Sequence, residues 1–88
     1  MLYFTADTDF TNRCFKVAGF HVTETAGAAA SVQLRDGGAS GQIVVDIRLP
    51  LVAGGNSIHF SDAARPLLFN KGLYVDVTGT VTGTIVPS

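Results

Sequence analysis

The chain has 88 residues, of which 47% are hydrophobic and 15% are charged, and its formal net charge is −1 at pH 7. This length allows one small domain, and the near-neutral charge argues against a nucleic-acid surface or a polybasic membrane anchor. The hydrophobic content excludes a disordered chain, and it predicts that some apolar surface meets a partner as well as the chain's own core.

The first dozen residues differ from the rest of the chain. Residues 1–4 are apolar, whereas residues 5–12 are polar and acidic around Phe10. We expect residues 1–12 to form an N-terminal arm or edge strand, and residues 13–88 to form a single β-sandwich domain. The N-terminus lacks a basic region followed by an apolar run, so we expect no signal peptide, and no apolar stretch is long enough for a transmembrane helix.

Alternation of apolar and polar residues predicts three strands in the first half of the chain. The first covers residues 14–23, where Phe15 and Val17 should face inward before the phase shifts at Gly19. The second covers residues 30–35. The third, residues 43–49, should be a half-buried antiparallel strand, with Ile43, Val45, Ile47 and Leu49 on its inner face. The glycine-rich residues between the second and third strands predict a hairpin turn.

The second half of the chain continues the β pattern. Short strands are predicted at residues 57–60 and 66–69, and residues 72–86 alternate apolar residues with a row of threonines. This last stretch fits either one long bent strand or two strands that change sheets, because Gly79 and Gly83 interrupt its inner face. The sequence therefore predicts an all-β fold, a small antiparallel β-sandwich or jelly-roll-like domain with about six to eight short strands, or else a small barrel.

Residue types that act in catalysis or in metal binding are few and scattered along the chain. His21 and His59 each lie between apolar neighbours, so we expect surface-facing imidazoles, and Cys14 is expected to be a small buried side chain. No Gly-x-Ser-x-Gly elbow is present, and the glycine-rich residues 37–41 precede a strand rather than a helix. We therefore predict that the chain is not an enzyme and has no catalytic, cofactor-binding or metal-binding residues.

Apolar residues in unusual places predict an interface instead. The N-terminal segment is too short to cover its own apolar side chains, and the run at residues 66–69 is apolar on both faces. The candidate interface residues are Leu2, Tyr3, Phe4, Phe10, Leu67, Leu68 and Tyr74. Surplus apolar surface in a small, charge-poor domain usually marks an oligomer or a docking surface. The alternative is that these side chains fold back onto the chain's own core.

Two stretches carry a resemblance to a known family: residues 19–37, GFHVTETAGAAASVQLRDG, and residues 69–83, FNKGLYVDVTGTVTG. Their order is a strand, an Ala/Gly link, Val-x-Leu-Arg-Asp-Gly, a second strand, and Gly-Leu-Tyr-Val followed by Thr/Gly/Val alternation. In this order the chain resembles, over residues 19–85, the small β-sandwich virion proteins of tailed bacteriophages. The resemblance implies a capsid cement or decoration protein that binds and stabilises the assembled lattice of major capsid protein.

The resemblance also implies partners and a location. The partners would be the phage major capsid protein and further copies of the chain, most often as a trimer, without nucleic acid or membrane. The chain would be made in the bacterial cytoplasm and would end on the capsid surface. A head-fibre base, neck or tail component is one alternative. A small ligand- or sugar-binding β module is another, although it would need an exposed aromatic platform and the chain has no tryptophan.

Overall fold

Short alternating segments of this chain assemble into two antiparallel sheets. A computed structural model describes residues 2–25, 28–49, 57–61 and 66–87. Its strands are β1 (Leu2–Phe4), β2 (Thr8–Phe10), β3 (Lys16–Glu24), β4 (Ala30–Asp36), β5 (Gln42–Leu49), β6 (Ser57–Ser61), β7 (Leu67–Leu68), β8 (Leu73–Thr78) and β9 (Val81–Pro87). The expected all-β fold is confirmed, with nine strands in the described ranges where six to eight were expected.

Each sheet receives strands from both ends of the chain. Sheet A has five strands in the order β1-β9-β3-β6, with β7 also paired to β3. Strands β6 and β7 share one edge of β3, β6 lying opposite residues 19–23 and β7 opposite residues 16–17. Sheet B has four strands in the order β2-β8-β4-β5. The N-terminal segment thus supplies an edge strand to each sheet, since β1 pairs with β9 and β2 pairs with β8.

The inward faces of the two sheets enclose one hydrophobic core. Its largest fully buried side chains include Phe69, Leu34, Leu49, Leu73 and Ile85. Burying a side chain of this size stabilises the fold by roughly 1.5–3 kcal/mol relative to leaving it exposed. Both sheets contribute side chains to this core, so each sheet excludes water from the inner face of the other.

The long alternating stretch near the C-terminus forms two strands that change sheets. Strand β8 belongs to sheet B and strand β9 to sheet A, and Gly79 between them has φ +93°. Glycine adopts this left-handed conformation without a steric penalty, which allows the sharp corner. Gly83 leaves space for the ring of Phe4, which occupies the position that a Cβ atom would need. Gly79 therefore lies at the corner between β8 and β9, and Gly83 lies where the Phe4 ring packs closely against β9.

Two residues that were predicted to face inward are exposed, because bulges and strand ends interrupt the alternation of inward and outward side chains. Phe15 is 50% exposed and precedes β3, and its carbonyl accepts a hydrogen bond from the Phe69 amide at 2.8 Å. Ile43 is 42% exposed, and the register between β4 and β5 shifts near it. The phase change at Gly19 is confirmed, since the register of β3 shifts between Val17 and Gly19. A bulge adds one residue to a strand and thereby reverses which side chains face inward.

The predicted hairpin joins β4 to β5, and a second loop, which contains Lys71 and Gly72, forms hydrogen bonds with it. Gly37 and Gly38 have φ +99° and +137°, as a tight turn requires. The Asp36 carboxylate accepts a hydrogen bond from the Lys71 amide at 2.8 Å, and the Gly37 amide donates to the Gly72 carbonyl at 2.9 Å.

Candidate functional site: the outer face of sheet A

The outer face of sheet A carries almost no charge. Strand register and exposure place these described residues on it: Tyr3, Lys16, Gly19, His21, Thr23, Ser57, His59, Ser61, Leu68, Thr82, Thr84 and Val86. Lys16 is the one Lys, Arg, Asp or Glu among them. Threonine suits this face, because a β-branched side chain favours a pleated strand and its hydroxyl stays hydrated.

The outer face of sheet B is ionic. It presents Asp9, Ser31, Gln33, Arg35, Ile43, Asp46, Arg48, Tyr74, Asp76 and Thr78. The guanidinium of Arg35 lies 3.2 Å from the carboxylate of Asp76 and donates to the Gln33 side chain at 2.8 Å. A second pair joins Arg48 to Asp46 at 3.2 Å. The charges of this face are therefore largely paired with each other.

Side chains on the outer face of sheet A line up across four strands. Tyr3 on β1 is opposite Thr84 on β9, Thr84 is opposite His21 on β3, and His21 is opposite His59 on β6. Tyr3 is 71% exposed, and a shallow depression of about 400 Å³ lies between it and His21. The centres of the two imidazole rings are 5.7 Å apart. The row thus brings one aromatic ring and two imidazoles onto a hydroxyl-rich surface.

The seven predicted interface residues divide into four groups, the last of which is Phe4 and Phe10. Tyr3 and Leu68, which is 58% exposed, both lie on the outer face of sheet A. Leu2 and Leu67 are half-buried and pack against the core, while Tyr74 lies half-buried on the opposite face, beside Arg35. Tyr3 and Tyr74 are therefore on different faces and do not form a shared aromatic platform.

Phe4 and Phe10 are core residues, contrary to the expectation that they face a partner. They are 3% and 5% exposed. The prediction took the N-terminal segment as too short to cover its own apolar groups. Pairing of β1 with β9 and of β2 with β8 instead turns both rings into the space between the sheets. Substitution of Phe4 would consequently disturb the fold rather than an interface.

Sequence reasoning missed some of the exposed apolar surface. Phe15 was expected inside, and its exposure depends on where β3 begins, which no local pattern revealed. Val86 is 39% exposed on the outer face of sheet A. Its outward position agrees with the sequence, in which it continues the threonine row of the last alternating stretch. At the start of the edge strand β5, Val44 is exposed as the alternation predicts, whereas Ile43 is exposed although it was expected inside.

Three titratable side chains in the described ranges, those of Cys14, Asp9 and Glu24, make local hydrogen bonds. Burial raises the pKa of the Cys14 thiol, so at neutral pH the group is the weakly reactive protonated form. The pKa of Asp9 is lowered by hydrogen bonds from the Thr11 hydroxyl, at 2.6 Å, and from the Thr11 amide, at 2.9 Å. The carboxylate of Glu24 is buried and accepts a hydrogen bond from the Ala28 amide. These contacts stabilise local turns and a loop.

The described ranges contain no group of three His, Cys, Asp or Glu side chains that could together hold a metal ion. No helix within them has the length and apolarity needed to cross a membrane. Comparison with protein-family models, with curated proteins and with solved structures gives no match. The two outer faces, which differ in charge, are therefore the features of the described residues that bear on function.

Proposed function

We propose that this chain is a non-catalytic assembly protein that docks through the outer face of sheet A. The observation that supports this is the difference between the two outer faces. One face has a single Lys, Arg, Asp or Glu among its described residues and exposes Tyr3, Leu68 and Val86. The other presents a set of paired charges and exposes Ile43 opposite Arg35. Interface centres are depleted in charged residues and enriched in aromatic ones.

The energetics of docking differ between the two faces. Covering the outer face of sheet B would remove water from Arg35, Asp46, Arg48 and Asp76, and removing water from charges is costly even when they are paired. Covering the outer face of sheet A removes water from hydroxyls, apolar groups, two imidazoles and the single ammonium of Lys16. Tyr3 supplies a large exposed ring of the kind that contributes strongly to binding in interface centres.

The proposed partner is the lattice of a tailed-phage major capsid protein, which makes the chain a cement or decoration protein of the virion. The resemblance over residues 19–85 supports this choice, and the two-sheet fold is compatible with it. A protein that binds only the assembled lattice stabilises that lattice by mass action. Many copies on a repeating surface make weak single contacts sufficient. Self-association into a trimer belongs to the same proposal.

The first test measures how many copies of the chain a purified phage particle contains. Quantitative mass spectrometry should find hundreds of copies for a cement protein, whereas a neck, tail or head-fibre component would give tens or fewer. Absence of the chain from purified particles would overturn the virion proposal. Native mass spectrometry of the isolated chain over a concentration series should give about three times 9.2 kDa for a trimer.

A second test asks which face docks, using two matched threonines. Thr82 is exposed on the outer face of sheet A and Thr78 is exposed on the outer face of sheet B, so Thr82→Lys and Thr78→Lys place the same charge on opposite faces. Rebinding to particles stripped of the chain should weaken about tenfold or more for Thr82→Lys, because a charge must lose water there. Thr78→Lys should bind like the wild type. Equal affinities for both variants, or the reverse order, would contradict docking through sheet A.

A further inference from the structure

We propose that His21 and His59, contrary to the expectation from the sequence, form a two-histidine site for a divalent first-row transition-metal ion within the outer face of sheet A. The two residues occupy directly opposite positions on the adjacent strands β3 and β6. Both side chains are exposed on the outer face of sheet A, and their rings are tilted by 41° with centres 5.7 Å apart. Imidazole nitrogen is the protein ligand that best suits zinc, copper and nickel ions.

The separation of the rings agrees with shared coordination. A metal–nitrogen bond of about 2.0–2.1 Å places the ion about 3.2 Å from each ring centre. Two rings on one ion are then about 5.2 Å apart at a tetrahedral angle and about 6.4 Å apart at a linear one. The observed 5.7 Å falls between these limits.

The surroundings favour a cation with water as its remaining ligands. The neighbouring outward positions hold hydroxyl side chains: Thr84 is opposite His21, and Thr23 and Ser57 form the next outward pair. No third His, Cys, Asp or Glu in the described part of the chain joins the pair. The site is therefore open, with two protein ligands, and it would link the edge strand β6 to the central strand β3.

The test is titration of the tag-free chain with zinc chloride in a calorimeter, with magnesium chloride as the control cation. We expect one Zn²⁺ per chain and no binding of Mg²⁺, which prefers oxygen ligands. His21→Asn and His59→Asn should each weaken Zn²⁺ binding about tenfold or more, because either change leaves a single imidazole and removes the chelate. Ser61→Asn, two residues from His59 on the same face of β6, is the matched control and should bind like the wild type.

A second readout separates chelation from a general effect on the fold. Zn²⁺ should raise the Tm of the wild type and of Ser61→Asn but not that of either histidine variant, since only the native arrangement holds both ligands. Circular dichroism without metal should be unchanged in all variants, because both imidazoles are exposed. Wild-type affinity in either histidine variant, half an ion per chain, or no binding at millimolar Zn²⁺ would overturn the proposal.

Discussion

The outer faces of sheets A and B have the same secondary structure and opposite chemistry. On sheet B, Arg35 donates to Asp76, to Gln33 and to the Gly41 carbonyl, so each of its three guanidinium nitrogens has a partner within the domain. On sheet A, the corresponding outward positions hold hydroxyls, imidazoles and a few apolar groups. One face is thus stabilised by its own contacts, whereas the other exposes groups that lose little when a partner covers them. An antiparallel sheet tolerates either kind of outer face.

The largest expected effect is a difference in the free energy of unfolding between substitutions of an inward and an outward residue of β1. Phe4 faces the core from β1 and Tyr3 faces outward from the same strand. Phe4→Ala should lower the free energy of unfolding by about 3–5 kcal/mol, because it leaves a cavity beside Gly83. Tyr3→Ala should change it by about 1 kcal/mol or less. Urea denaturation of both variants measures the difference, and a comparable loss in the two would mean that Tyr3 belongs to the fold rather than to a docking surface.

A smaller effect is expected from the ion pairs of sheet B. Arg35→Ala should cost about 1–3 kcal/mol, because its partly buried partners Asp76 and Gln33 lose charge-assisted hydrogen bonds. Arg48→Ala should cost about 0.5 kcal/mol or less, since its side chain is 80% exposed. A double-mutant cycle of Arg35 with Asp76 should show coupling that the cycle of Arg48 with Asp46 lacks. Equal coupling in both cycles would contradict a pre-organised charge network on this face.

The smallest effect concerns Asp9, at the edge of sheet B. Its pKa is lowered in the folded chain by the Thr11 hydroxyl and amide. The stabilisation is therefore present above the unfolded pKa of about 3.9, and it is lost as the pH falls through the folded pKa. The stability difference between the wild type and Asp9→Asn should be constant at neutral pH and should shrink below about pH 4. Carboxyl NMR titration checks the shift directly, and an ordinary Asp9 pKa would contradict it.

Local patterns predicted the strands best where each strand lies in the middle of a sheet. The alternation of Leu73, Val75, Val81 and Ile85 identified four fully or almost fully buried residues, because period-two patterning is a local property of the chain. Prediction failed at Phe15 and Ile43, which lie beside a strand end and a register shift. The outcome at such places depends on pairing with a distant strand, which local alternation does not specify.

The candidate site was even less visible in the sequence. The row from Tyr3 through Thr84 and His21 to His59 joins four strands from both ends of the chain. Its residues meet because of strand order and register, and their spacing along the chain carries no signal of this. The difference in charge between the two outer faces is likewise a property of which strands share a sheet.

The sequence by itself determined the fold class, the hairpin at Gly37 and Gly38, and the burial of the last two strands. Each of these depends on alternation or on the conformational freedom of glycine, both of which act over a few residues. Only the tertiary structure decided that Phe4 and Phe10 are core residues, that Tyr3 and Leu68 share an outer face, and that the two histidines meet. Those outcomes depend on which distant strands pair and in what register, and pairing is settled by the burial of the whole core.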